Sequence, residues 1–163
     1  MHYFYWDASA LAKRYAPEVG TALVNALFSK APRDRMMCLS VGTGEVISVL
    51  VRKKNAGLIT EAACSQAMAD FRAEVISAVD FQLVAVEDTL VFASHPLIEK
   101  YSLNATDALV LCSASDVASI KRQEGHEVVL LASDRRLLNA ARIEGIQILD
   151  PETDTQEQFD SFV

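Results

Sequence analysis

The stretch Val128-Val129-Leu130-Leu131-Ala132 restricts the fold of this chain more than any other feature. It is aliphatic and partly β-branched, with no polar residue at alternate positions, so a strand made from it must be covered on both faces. Such strands belong to parallel sheets sandwiched between helices, and the rest of the chain supplies the helices. Apolar period and punctuation predict strands at Tyr3 to Trp6, Met36 to Leu39, Phe81 to Val86, Glu127 to Ala132 and Ile146 to Leu149. Helical patterns fall between them: from Ser9, near Val19, over Val41 to Asn55, from about Thr60 to Val79, from about Ala105 to Ile120, and over Asp134 to Glu144 with Gly145 as its stop. A helical region ahead of Ala105 contains Pro96, which is expected to break or kink it, with Ser94 as a candidate cap. The expected class is α/β, a three-layer α/β/α arrangement around a mainly parallel central sheet of about five strands.

With 163 residues and 51% hydrophobic content the chain can bury one core without disulfides or a structural metal. Residues 1–150 are read as one domain, and the segment 151–163, polar and acidic after Pro151, as a loosely held tail. Cys38, Cys64 and Cys112 are odd in number, lack Cys-x-x-Cys spacing and lie in apolar stretches, as reduced core residues do. No basic leader precedes Tyr3 and no apolar run is long enough to span a bilayer, so a cytoplasmic location is expected. No Gly-rich phosphate loop is present, which disfavours a nucleotide cofactor. A phosphoacceptor receiver domain is disfavoured too, because paired acids after the first strand and a late-strand lysine are missing.

In an open parallel sheet, ligands sit beyond the carboxyl ends of the strands, so the informative polar residues are those that end strands. Asp7 ends the first strand and Asp134 follows Val128 to Ala132, each directly before a helical pattern. Asp107 stands in the first turn of Ala105-Thr106-Asp107-Ala108-Leu109-Val110-Leu111, and Glu45 in the first turn of Val41-Gly42-Thr43-Gly44-Glu45-Val46-Ile47; both segments are otherwise nearly apolar. Each acid alone has a plain explanation, since capping and the helix dipole favour Asp and Glu at helix starts by roughly 0.3 to 1 kcal/mol. Four acids from four elements expected at one rim are harder to explain that way. Close carboxylates repel by roughly 1 to 4 kcal/mol per pair at 4 Å, and a hard divalent cation relieves that. Oxygen donors without a Cys or His cluster suit Mg²⁺ or Mn²⁺, one or two ions, rather than Zn²⁺.

These residues resemble the PIN domain nucleases, and within them the VapC-type toxins of toxin–antitoxin pairs, over nearly the whole chain. Tyr5-Trp6-Asp7-Ala8-Ser9 is similar to the first motif, an acid ending strand one with Ser or Thr two residues later. Thr43-Gly44-Glu45-Val46 is similar to the second, Ala105-Thr106-Asp107-Ala108-Leu109 to the third, and Ser133-Asp134-Arg135-Arg136-Leu137 to the fourth. The chain departs from the pattern at Ala132, where Thr or Ser is usual and Ser133 stands adjacent instead, and at Pro96. The resemblance implies metal-dependent hydrolysis of RNA phosphodiester bonds, with Asp7 and Asp107 as central metal ligands completed by Asp134 and Glu45. It further implies a small antitoxin as partner and a homodimer.

Around these acids, Ser9, Ser133 and Thr106 are candidates to orient the carboxylates, Ser9 being equally an N-cap of the first helix. Lys13, Arg14, Arg135 and Arg136 are candidates for substrate phosphates, or else solvated helix charges. The formal net charge of −7 speaks against a polyanionic partner unless bound cations answer some of the 22 acidic residues. Tyr3, Phe4, Tyr5 and Trp6 read as core, with Trp6 alone close enough to Asp7 to stack on a base. Gly42 and Gly44 suggest close packing or a late helix start. The alternatives to a toxin are a PIN nuclease of RNA processing, and a catalytically silent binding or regulatory module of the same doubly wound shape whose acids only cap helices.

Overall fold

A computed structural model describes residues Met1–Val163. Its centre is a five-stranded, wholly parallel sheet in the order β3-β2-β1-β4-β5, with β1 at His2–Trp6, β2 at Met36–Leu39, β3 at Gln82–Val84, β4 at Glu127–Leu131 and β5 at Gln147–Leu149. The helices are α1 (Ala8–Leu11), α2 (Thr21–Lys30), α3 (Ser40–Asn55), α4 (Glu61–Phe71), α5 (Asp88–Tyr101), α6 (Ala105–Gln123), α7 (Arg135–Ile143) and α8 (Gln156–Asp160). Because side chains alternate along a strand, the central strands divide their apolar residues between two cores. Phe4, Trp6, Met36, Cys38, Val129 and Leu131 face α1 to α4 on one side. Tyr5, Met37, Leu39, Val128 and Leu130 face α5 to α7 on the other. The expected three-layer α/β/α architecture is the one observed. All three cysteines are free and buried.

Strand order fixes where a site can form. The chain winds outward from β1 through β2 to β3, then returns to the other side of β1 with β4 and β5, so the direction of winding reverses between β1 and β4. That reversal opens a crevice at the carboxyl ends of these two strands. Trp6 pairs with Leu131, and the Asp7 amide donates to the Leu131 carbonyl at 2.9 Å, which brings the ends of β1 and β4 level.

Several local expectations are corrected. Pro96 does not break its helix: α5 runs continuously from Asp88 to Tyr101. Leu90, Leu97, Ile98 and Tyr101 on one face of it pack on the second core, which outweighs the roughly 3 kcal/mol that an interior proline costs. Ser94 is buried and donates to the Val91 carbonyl at 2.7 Å, so it caps nothing. The helix begun by the Thr60 cap changes to a π-helical turn over Arg72–Ile76, and Glu74 in that turn receives Arg14. α3 starts at Ser40 and runs through Gly42 and Gly44, where an added Cβ would meet nothing within 4 Å, so neither close packing nor a late start accounts for them.

The segment after Pro151 is likewise folded against the body rather than loose. Thr155 and Gln158 form a capping box that starts α8, and Phe159, 1% exposed, enters the first core. Lys30 holds Asp160 at 2.6 Å, and the turn that leads into α8 sits on Gly20, whose φ of +91° leaves no room for a side chain against Pro151. Composition pointed to a tail because one buried aromatic among polar residues carries little periodic signal. Phe159→Ala is expected to cost about 3 to 5 kcal/mol in chemical denaturation. A cost under about 0.5 kcal/mol, the scale of an exposed site, would contradict docking of this segment.

Candidate active site

Asp7 leaves β1 in an extended conformation and becomes the N-cap of α1, accepting the Ser9 amide at 2.9 Å and the Ser9 hydroxyl on the same oxygen, Oδ2. The Ser9 hydroxyl in turn accepts the Ser133 amide at 2.9 Å. One serine therefore ties the carboxylate after β1 to the loop after β4. It both caps α1 and orients Asp7, and the two roles named for it are compatible. Ser133 contributes its main chain, while its hydroxyl is buried without a partner. Asp134 caps α7, taking the Arg136 and Leu137 amides at 2.8 and 3.1 Å on Oδ1, which leaves Oδ2 free of protein donors.

Asp107 and Glu45 are placed differently. The cap of α6 is Asn104, whose side-chain oxygen accepts the Asp107 amide at 2.8 Å and whose NH₂ donates to Asp107 Oδ2 at 2.8 Å. Asp107 is thus held without capping anything. Glu45, half-buried in α3, also caps nothing, and the Thr106 hydroxyl is the neighbour that eases its charge. The four acids line one hollow of about 180 Å³ together with Ala8, Ser9, Val49 and Arg52.

The electrostatics of that hollow are unbalanced. Burial first, and then the neighbouring charges of Asp7, Asp134 and Glu45, push the Asp107 carboxyl up to about 7, with Arg136 pulling the other way. Burial and Asp134 raise Asp7 against the stabilising bonds from Ser9. Burial and Asp7 raise Glu45, opposed by Thr106 and Arg52. Without added cations this group of carboxylates resists full ionisation near neutral pH.

The basic candidates separate. Arg135 and Arg136 are exposed at the start of α7 and form no ion pair with a carboxylate. Lys13, in contrast, is 1% exposed, and its ammonium lies between Glu18 at 2.9 Å and Glu152 at 2.6 Å. Arg14 is bound in a fork by Glu74, at 2.6 and 2.7 Å, and also reaches Asn25. These two cations hold the fold together and are not open to substrate as they stand. Helical period could not show this, because Glu152 and Glu74 lie far from Lys13 and Arg14 in sequence and Glu18 lies beyond the end of their helix. Trp6 is 1% exposed and packs on Phe28 at 5.0 Å between ring centres, so it cannot stack on a base. His95 is exposed on α5 against Phe92.

Arg52 is the site residue missing from the sequence-derived candidates. A signal existed: Glu45, Val49 and Arg52 are spaced i, i+4, i+7 and share one helix face. As the donors stand, no three acidic, His or Cys side chains are grouped closely enough to enclose an ion directly. A hollow of about 180 Å³ has room for an ion with several waters, each water occupying about 30 Å³ in the liquid. The oxygen-only donor set and the surplus of negative charge fit a hydrated hard cation held by few direct ligands.

No protein-family model matches the chain, and no curated protein sequence matches it. Solved structures do. The protein PAE2754 of Pyrobaculum aerophilum is 21% identical, with a TM-score of 0.59 and 94% of each chain covered. VapC20 of Mycobacterium tuberculosis, described as a toxin that cleaves the sarcin-ricin loop, is 17% identical, with a TM-score of 0.59 over 84% of this chain and 94% of its own. A component of a Klebsiella pneumoniae toxin–antitoxin complex is 16% identical, with a TM-score of 0.53 over 90% of this chain and 96% of its own. At such identities the likeness is one of fold, and together with the all-parallel topology it shows that this chain has the three-layer α/β/α PIN-like fold, shared with VapC-type toxins.

Proposed function

We propose that the protein is a Mg²⁺- or Mn²⁺-dependent endoribonuclease that hydrolyses RNA phosphodiester bonds as the toxin of a toxin–antitoxin pair. The observation that carries this reading is the convergence of Asp7, Glu45, Asp107 and Asp134, from four separate elements, on one hollow at the β1/β4 switch point. The similarity in fold and extent to VapC20 supports the toxin role. The solved toxin–antitoxin complex of like fold supports a small antitoxin partner. A homodimer and a cytoplasmic location belong to the same proposal; no helix is long and apolar enough to cross a membrane.

Asp7 and Asp107 are the proposed central metal ligands, with Asp134 and Glu45 bound directly or through waters. A divalent cation bound there would supply an activated water and offset charge on the leaving oxygen. The residues of the chain do the positioning. Ser9 fixes the Asp7 carboxylate through two bonds to one oxygen and locks it to the β4 loop. Asn104 fixes Asp107, the α7 amides fix Asp134 by one oxygen, and Thr106 lies beside Glu45. Arg52 and Arg136 bring positive charge to the rim, where a substrate phosphate must approach four acids.

One observation favours a silent module: Asp7 and Asp134 are genuine helix caps. Capping leaves Glu45 and Asp107 unexplained, since neither caps a helix and both are raised by burial and by neighbouring carboxylates.

Purified protein is expected to cut cellular RNA into discrete fragments with Mg²⁺ or Mn²⁺ and not with chelator. Asp7→Asn is expected to abolish cutting while leaving the metal-free fold at least as stable, because a buried charge is removed. Substantial residual cleavage by that variant removes Asp7 from the mechanism. For Asp107→Asn, the rise in Tm on adding Mg²⁺ should shrink, and an unchanged rise would point to a structural role only. The same group sets a pH dependence. Its carboxyl titrates at about 7 in the folded chain against an ordinary 3.8, so the metal-free fold is penalised as the group ionises. Relative to Asp107→Asn, the Tm of the wild type in chelator should fall as pH rises between about 4 and 7 and level off above. Parallel Tm profiles for the two proteins would sink this assignment.

A further inference from the structure

Of the 15 Lys and Arg side chains, eight are ion-paired. Four of the seven that are not fall into two neighbouring sets: Arg52 and Arg136 near the acid hollow, and Arg135 and Arg142 along a groove that begins at the residue after Asp134. In a chain of net charge −7, cations left without partners in one place call for an external anion. Arg52 and Arg136 belong to the hollow already described. Arg135 and Arg142 do not: they line a separate groove of about 380 Å³, the largest in the molecule, between α7 and the turn that leads into α8.

The groove has a direction. Arg135 directly follows the site acid Asp134, and Arg135, Asn139 and Arg142 are spaced i, i+4, i+7, forming a stripe of donors along one face of α7. At 1.5 Å per residue the stripe extends about 10 Å away from the acid hollow. The opposite wall carries Asp150 and Asp154, and their carboxylates are engaged within the turn. Asp150 accepts the Glu152 amide at 2.9 Å and the Thr153 hydroxyl at 3.1 Å, and Asp154 accepts the Asp150 amide at 2.8 Å. Neither acid bonds to the arginines, and the only side-chain partner of Arg142 is Asn139 at 3.3 Å. The lining is poor in apolar residues: Leu138 is 5% exposed, which leaves little beyond Ile148. A docking protein helix needs apolar anchors in such a groove, whereas a nucleic-acid backbone needs spaced cations and hydrogen-bond donors.

We infer that this groove carries the RNA strand flanking the cleaved bond, with Arg135 and Arg142 on successive backbone phosphates and Asn139 donating between them. The inference rests on the ribonuclease reading and adds to it the path of the substrate. It also gives the docked C-terminal segment a role, since that segment forms the groove's second wall.

The test is fluorescence anisotropy of a labelled, unstructured single-stranded oligoribonucleotide in chelator, titrated at several salt concentrations. The proteins compared are the wild type, Arg142→Gln, Arg142→Lys and, as a control on a remote exposed cation, Arg72→Gln. Arg142→Gln is expected to weaken binding severalfold and to lower the slope of log Kd against log salt by about 0.7, the loss of one phosphate contact to a single strand. Arg142→Lys should retain the slope, and Arg72→Gln should match the wild type. Binding by Arg142→Gln equal to that of the wild type overturns the groove assignment alone and leaves the ribonuclease proposal standing. Absence of binding by every form overturns the groove assignment, and the ribonuclease proposal falls with it only if metal-dependent cleavage of cellular RNA is absent as well.

Discussion

The parallel pairing of β1 with β4 is the constraint on which the rest of the molecule depends. Consecutive strands usually neighbour one another, but here the fourth strand returns to the inner edge of the first, so β1 has apolar layers on both faces and a strand on both sides. That pairing places the residues after Trp6 and after Leu131 side by side. It also explains why the single hydroxyl of Ser9 can touch both the Asp7 carboxylate and the amide of Ser133, which lies 124 positions further along the chain. Helix caps at Asp7 and Asp134 then fix the backbone on each side of the crevice.

Stability and the gathering of like charge oppose each other at this point. A fold that gathers buried or half-buried carboxylates accepts unfavourable desolvation and mutual repulsion, visible in the raised titration of Asp7, Glu45 and Asp107. Elsewhere the chain does the reverse. Lys13, Lys53 and Glu18 form a chain of ion pairs that reaches Glu152, and Glu74 collects Arg14, Arg33 and Tyr15 in a π-helical turn. Glu18 and Glu74 are held below their ordinary range by their partners. The strain is local to the crevice, and the compensated charges surround it. Concentrating uncompensated charge at a strand-end crevice while satisfying it elsewhere is the pattern of a functional site.

How legible this was depended on the range of the interaction. β2 was read residue for residue, because a short apolar run between turn signals specifies a buried strand locally. The four acids were found because strand ends and helix first turns are local features, and their convergence followed from the parallel sheet. Arg52 was missed although it shares a helix face with Glu45, since an exposed arginine two turns on looks like any solvated charge until a hollow is seen beneath it. Lys13 and Arg14 looked free because Glu152 and Glu74 come from remote parts of the chain. Pro96 was read by its local cost, while packing of α5 on the second core decided the outcome.

By itself, then, the sequence determined the α/β class, the parallel sheet and the identity of the acids at its rim, because hydrophobic period and strand-end polarity are properties of neighbouring residues. Only the tertiary structure decided which cations are locked into the fold and which remain open, that the C-terminal segment docks through Phe159, and that a groove lies along α7. Those outcomes depend on contacts between residues far apart in the chain, whose geometry no local pattern encodes.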